Sequence, residues 1–247
     1  MGKASGKAQR DLAFQLTQIN ASAIFLRDRF AILRAIHLGQ TMSTVAKIGF
    51  WSSLISFAAA TGYGVVQVMQ IAGILVFPVD EILIFGFSIV IPLPFVVALV
   101  ALFHAVPEEK RIWPHAAILF GVIYAVLVTI VYGTQLGLVV PMRISGLSGS
   151  VDFLRVTNGT FMWVIDGAGY ILMGLATLFA AGTFMGNPAQ RGLKWFLFAN
   201  GLIDPLIVAV YIYPSLLPFG SLWLITAPGS LLLLARYFKT TPAVNGF

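Results

Sequence analysis

Apolar residues run in six long blocks, at about 48–76, 82–106, 115–140, 159–184, 195–217 and 219–238, parted by short polar or proline-bearing stretches. A helix needs about 20 residues to cross the hydrocarbon core of a bilayer, and every block reaches that length. The separators at 77–81, 107–114, 141–158 and 185–194 carry Pro or Gly, as antiparallel helix hairpins require, and the last break is Pro218 alone. The pattern predicts an all-α polytopic transmembrane bundle of six spans over residues 48–238.

The pattern changes ahead of the first block. Within residues 11–40, Leu12, Leu16, Ile19, Ala23, Leu26, Phe30 and Leu33 recur at three- and four-residue steps, the mark of an amphipathic helix. Arg27, Asp28 and Arg29 sit in its middle, and a central Arg costs about 2.5–3.5 kcal/mol on insertion. Residues 1–47 therefore read as a basic cytoplasmic segment whose helix lies on the membrane surface. The competing reading makes residues 11–40 a docking face for a partner protein. Residues 1–10 are polar and basic and lead into no apolar stretch with a cleavage site, so no signal peptide is predicted.

Charge supplies the orientation. With the amino terminus in the cytoplasm, thirteen of the 15 Lys and Arg residues fall inside, and only Arg143 and Arg155 fall outside. An odd number of spans would destroy that positive-inside bias. Both termini are predicted cytoplasmic, with 239–247 a short tail.

Composition then narrows the class. Hydrophobic residues make up 59% and charged residues 10%, against about 45–50% and 25% in soluble domains. A soluble fold could not cover its surface with so little charge. This excludes a soluble enzyme, a disordered tail and a nucleic-acid-binding module. The net charge of +6 would suggest nucleic acid in a soluble chain; here the basic residues flank apolar runs and meet membrane lipids, anionic headgroups included. With no cysteine, disulfides, thiolate catalysis and Cys-ligated metal are excluded. His37, His104 and His115 match no metal-binding helix motif, no buried lysine offers a Schiff base, and nucleotide loops are absent. Neither a metal nor a cofactor is predicted.

Chemistry in a bilayer concentrates where ionisable residues survive burial. Asp166 in span four, about 10 Å deep at 1.5 Å per residue, and Asp204 near the middle of span five are the two acidic residues well inside spans. Trp163, Asp166, Tyr170 and Met173 share one face of span four; Asn200, Asp204 and Tyr211 share one of span five. Span one adds Tyr63, Gln67 and Gln70, and span three adds Tyr124, Tyr132 and Gln135. Most of these fall in the outer half, with Asp80, Glu81 and Arg143 at the outer rim. They predict an outward-facing polar cavity with Asp166, Asp204, Tyr170, Trp163, Gln67, Gln70, Gln135, Tyr132 and Arg143 as ligand- or proton-binding residues. The bland alternative is mutual hydrogen bonding between helices. Arg143 is the available cation for Asp166. Asp204 has none, and is expected to carry its proton at neutral pH.

Glu108, Glu109, Lys110, Arg111, Ile112 and Trp113, leading into span three, and residues 160–184 (TFMWVIDGAGYILMGLATLFAAGTF) carry a resemblance. The middle third of the chain resembles an uncharacterised group of bacterial integral membrane proteins. The resemblance implies a bacterial cytoplasmic membrane and no assigned activity. Three functions compete: binding or transport of a small solute, an accessory or scaffold subunit, and an integral membrane enzyme using an Asp as general acid on a lipophilic substrate.

Overall fold

A computed structural model describes residues 42–240; the amphipathic stripe at 11–40 and the tail from 241 lie outside the described residues. Six helices among the described residues are long and apolar enough to cross a membrane: Thr44–Ile71, Val79–Ala105, Ile112–Ile144, Phe161–Gly182, Pro188–Ile212 and Pro214–Thr240. These are spans one to six of a multi-pass helix bundle. They pack in chain order, each against the next, and span six closes onto span one. The result is a ring.

The first span shows how such a helix is built. Ile48, Trp51, Ile55, Val65 and Val68 are exposed, while Ser53, Ser56, Ala59 and Ala60 are buried. Large apolar side chains face outward and small or hydroxyl side chains face the other helices. In a bilayer this costs nothing, because lipid tails solvate Ile as well as a protein core does, and small residues let backbones approach.

Helix limits depart from hydropathy where turn chemistry intervenes. Span one stops at Ile71, and Gly73 turns the chain with φ +69°, a region open chiefly to glycine. The apolar Ile74, Leu75 and Val76 thus belong to the link. Asp80 and Glu81, expected in a separator, occupy the first turn of span two, where the helix dipole favours acidic groups. Spans five and six part at Tyr213 and Pro214, not at Pro218. Tyr213 is non-helical, with φ −126° and ψ 84°, because a following proline disfavours the α region. Pro218 is taken into a short helix, Leu217–Gly220, whose first turn needs no N–H from it.

Four of the six spans are interrupted; span six divides into Leu217–Gly220 and Trp223–Thr240 with a turn at 221–222. Span two divides into Val79–Val90 and Pro92–Ala105, and Ser56 of span one donates to the Ile91 carbonyl at the break, 2.9 Å away. Span three passes through a π-helical turn at Gln135–Val139 before continuing as Val140–Ile144. Span five consists of Arg191–Gly201 and Asp204–Ile212, with Leu202 and Ile203 as a turn between them.

Candidate functional site

Four spans meet in an aromatic cluster around Asp166. Tyr170 of span four and Tyr63 of span one both set their rings edge-on to Trp223 of span six, at 5.0 and 5.8 Å between centroids. Tyr132 of span three places its hydroxyl 3.5 Å from that of Tyr170. Asp166 lies one turn before Tyr170 on span four. Its carboxyl stands next to the Tyr132 hydroxyl and within electrostatic range of Tyr63, Tyr124 and Tyr170. Asp166 is only 9% exposed, and its Oδ1 is buried with no hydrogen-bond partner.

From this cluster a file of polar side chains leads to one end of the bundle. The Tyr63 hydroxyl donates to Gln67 Oε1 at 3.2 Å, Gln67 Nε2 to Gln70 Oε1 at 2.8 Å, and Gln70 Nε2 to Asp80 Oδ2 at 2.7 Å. The donors follow helix geometry: Tyr63, Gln67 and Gln70 are four and three residues apart and so lie along one face. Next to Asp80, Glu81 forms an ion pair with Arg143, whose guanidinium also covers the Phe77 ring at 4.0 Å.

This corrects one expected pairing. Arg143 does not reach Asp166; it ends span three beside the first turn of span two and is neutralised by Glu81. Asp166 has no cationic partner among the ion pairs of the described residues. Gln135 is also placed otherwise than expected. Its amide, 1% exposed, donates to the Leu154 carbonyl at 2.7 Å and anchors the link between spans three and four. Trp163 keeps a buried indole N–H without a partner.

Asp204 belongs to a second place. Its carboxyl lies over Gly174 of span four, so closely that a methyl group at position 174 would overlap it. Gly174 is eight residues beyond Asp166, roughly 12 Å along the helix. The two carboxyl groups thus meet span four about two turns apart. Tyr211, on the Asp204 face of span five, donates to the Val164 carbonyl at 2.9 Å and rests on Gly167, next to Asp166, so it ties spans four and five together. One turn before Asp204, Asn200 is fully engaged: Nδ2 donates to Thr177 Oγ1 at 3.1 Å and Oδ1 accepts from Thr226 Oγ1 at 2.9 Å. The Thr177 hydroxyl in turn donates to the Gly174 carbonyl at 2.8 Å.

Trp223, Thr177 and Thr226 escaped the sequence reading. A Trp near a span end reads equally as an interfacial belt residue, and only the ring closure between spans one and six places Trp223 inside. The two threonines carried no signal, since Thr is common in spans. Comparison with protein-family models, with curated proteins and with solved structures finds no match for this chain.

Proposed function

We propose that this bundle binds and carries a small polar or cationic solute, with Asp166 as the accepting carboxyl group. The observation that carries this reading is the unpartnered, buried Oδ1 of Asp166 in a setting otherwise rich in donors. A buried carboxyl group without compensation is costly, and such groups are kept in membranes chiefly where they act. The Gln67, Gln70 and Asp80 side chains bond to one another, as helix glue would, but Asp80 keeps a buried Oδ1 without a partner, and the file gives a solute or proton successive polar contacts. Tyr63, Tyr132, Tyr170 and Trp223 offer hydroxyls and π faces, which favour a cation beside a carboxylate.

In this reading the protein sits in a bacterial cytoplasmic membrane with both termini inside, and the Asp80–Arg143 end opens outward. Its Lys and Arg distribution supports that orientation. The test is uptake by proteoliposomes holding the full chain, offered a panel of amines, amino acids, sugars and nucleosides. Uptake of one class should fall at least ~10-fold in Asp166→Asn while the variant keeps its helical content. Uptake indifferent to Asp166→Asn rules this function out. Product formation without a gradient would instead favour an enzyme, and a stoichiometric partner released by deleting residues 1–40 would favour a subunit.

A further inference from the structure

We propose that the break in span five is a binding site for one alkali-metal cation, held by the Asp204 carboxylate together with backbone carbonyls of Gly201 and Leu202. This inference is independent of the solute reading at Asp166. Three observations converge on it. Asp204 is 8% exposed, and neither of its buried carboxyl oxygens has a hydrogen-bond partner. The polar group one turn away is the contrast: Asn200 has partners on both its oxygen and its nitrogen. Poor packing of the region therefore does not explain the isolation of Asp204.

The second observation is the backbone. Pro205 has no N–H to give the Gly201 carbonyl, and the Leu206 N–H turns to Ile203, at 2.8 Å, away from Leu202. Both carbonyls lose their i+4 donor at the carboxyl end of Arg191–Gly201, where the helix dipole is negative. Asp204 opens the next half-helix, Asp204–Ile212, directly after these two carbonyls. Interrupted helices of this kind, with unwound carbonyls facing a cation, are a recurring way to place an ion at membrane depth.

The third observation fixes the class of ion. Among the described residues no three His, Asp or Glu side chains converge, so Asp204 brings one negative charge to an otherwise oxygen-dipole site. One carboxylate balances one positive charge, whereas calcium takes 6–8 oxygen ligands with several carboxylates among them. Gly174 completes the niche, because any side chain there would occupy the position of the carboxyl group.

The experiment measures thermal unfolding of the full chain in detergent, titrated with sodium chloride or with choline chloride at equal ionic strength. Sodium at 100 times its dissociation constant should raise Tm by roughly 5–10 °C, saturably, and choline should not. The exposed-loop variant Asp152→Asn should keep the response and Asp204→Asn should lose it. Equilibrium dialysis of the unmodified protein with radioactive sodium should find one ion per chain, which decides the matter even if Asp204→Asn does not fold. Equal responses to sodium and choline, a response surviving in folded Asp204→Asn, or no bound sodium would each overturn the site. Because choline belongs to the cationic class proposed for Asp166, the sodium–choline comparison is made in Asp166→Asn, so failure of the uptake experiment leaves the sodium site standing.

Discussion

Gly174 sets how closely span five approaches span four, and Asp204 occupies the space its missing side chain leaves. Gly174→Ala should destabilise the protein by roughly 1–3 kcal/mol, the usual cost of overpacking. Because the added methyl lands on the carboxyl group, Asp204→Ala should recover part of that loss. A double-mutant cycle in thermal unfolding reads the coupling, and strict additivity would mean the two residues do not touch. Asn200 makes the opposite case. Asn200→Ala leaves the Thr177 and Thr226 hydroxyls without their amide partner. Two interhelical bonds at about 0.6–1.7 kcal/mol each put the expected loss at roughly 1–3 kcal/mol by the same unfolding measurement.

At the scale of the element, four of the six spans are interrupted, and the breaks differ in which carbonyls keep a donor. Beside Pro92, the Ile91 carbonyl keeps the Phe95 N–H at 3.2 Å and accepts from Ser56 as well; Ser56→Ala should lower stability by about 0.6–1.7 kcal/mol, and no change would show that the bond is incidental. In span three, the π turn at Gln135–Val139 directs the Gln135 amide to the Leu154 carbonyl. Gln135→Leu should speed hydrogen exchange of amides in 147–156 without disturbing spans one and six. In span five the break presents Asp204 with no protein partner at all. The prolines behind these breaks are plain in the sequence, but proline alone does not say which carbonyls a side chain on a neighbouring helix reaches. That depends on which helix is the neighbour.

The described spans form a ring in chain order, with span six closing on span one. The ring brings Trp223 against Tyr63 and Tyr170 and gives Asp166 aromatic walls drawn from residues far apart in sequence. Orientation belongs to this scale too. The chain has no cysteine, so single introduced thiols report sidedness cleanly. Ser148→Cys in the link between spans three and four should label with a membrane-impermeant maleimide in intact cells. Glu109→Cys, in the link between spans two and three, should label only after permeabilisation. The reverse pattern would invert the topology and place the Asp80–Arg143 end in the cytoplasm.

The sequence by itself determined six helices, their approximate limits, and the few ionisable residues that burial would make costly. It could do so because bilayer thickness and backbone hydrogen bonding act on local runs of residues, and hydropathy reads such runs directly. Tertiary structure alone decided the partners. Arg143 and Asp166 were plausible mates by charge, yet Arg143 meets Glu81; Asp166 and Asp204 looked convergent by depth, yet Asp204 lies over Gly174, two turns along span four from Asp166. Depth along a helix is fixed by counting residues, but the azimuth between helices is fixed by which small residues let which backbones approach, and a single chain read in order carries no record of that choice.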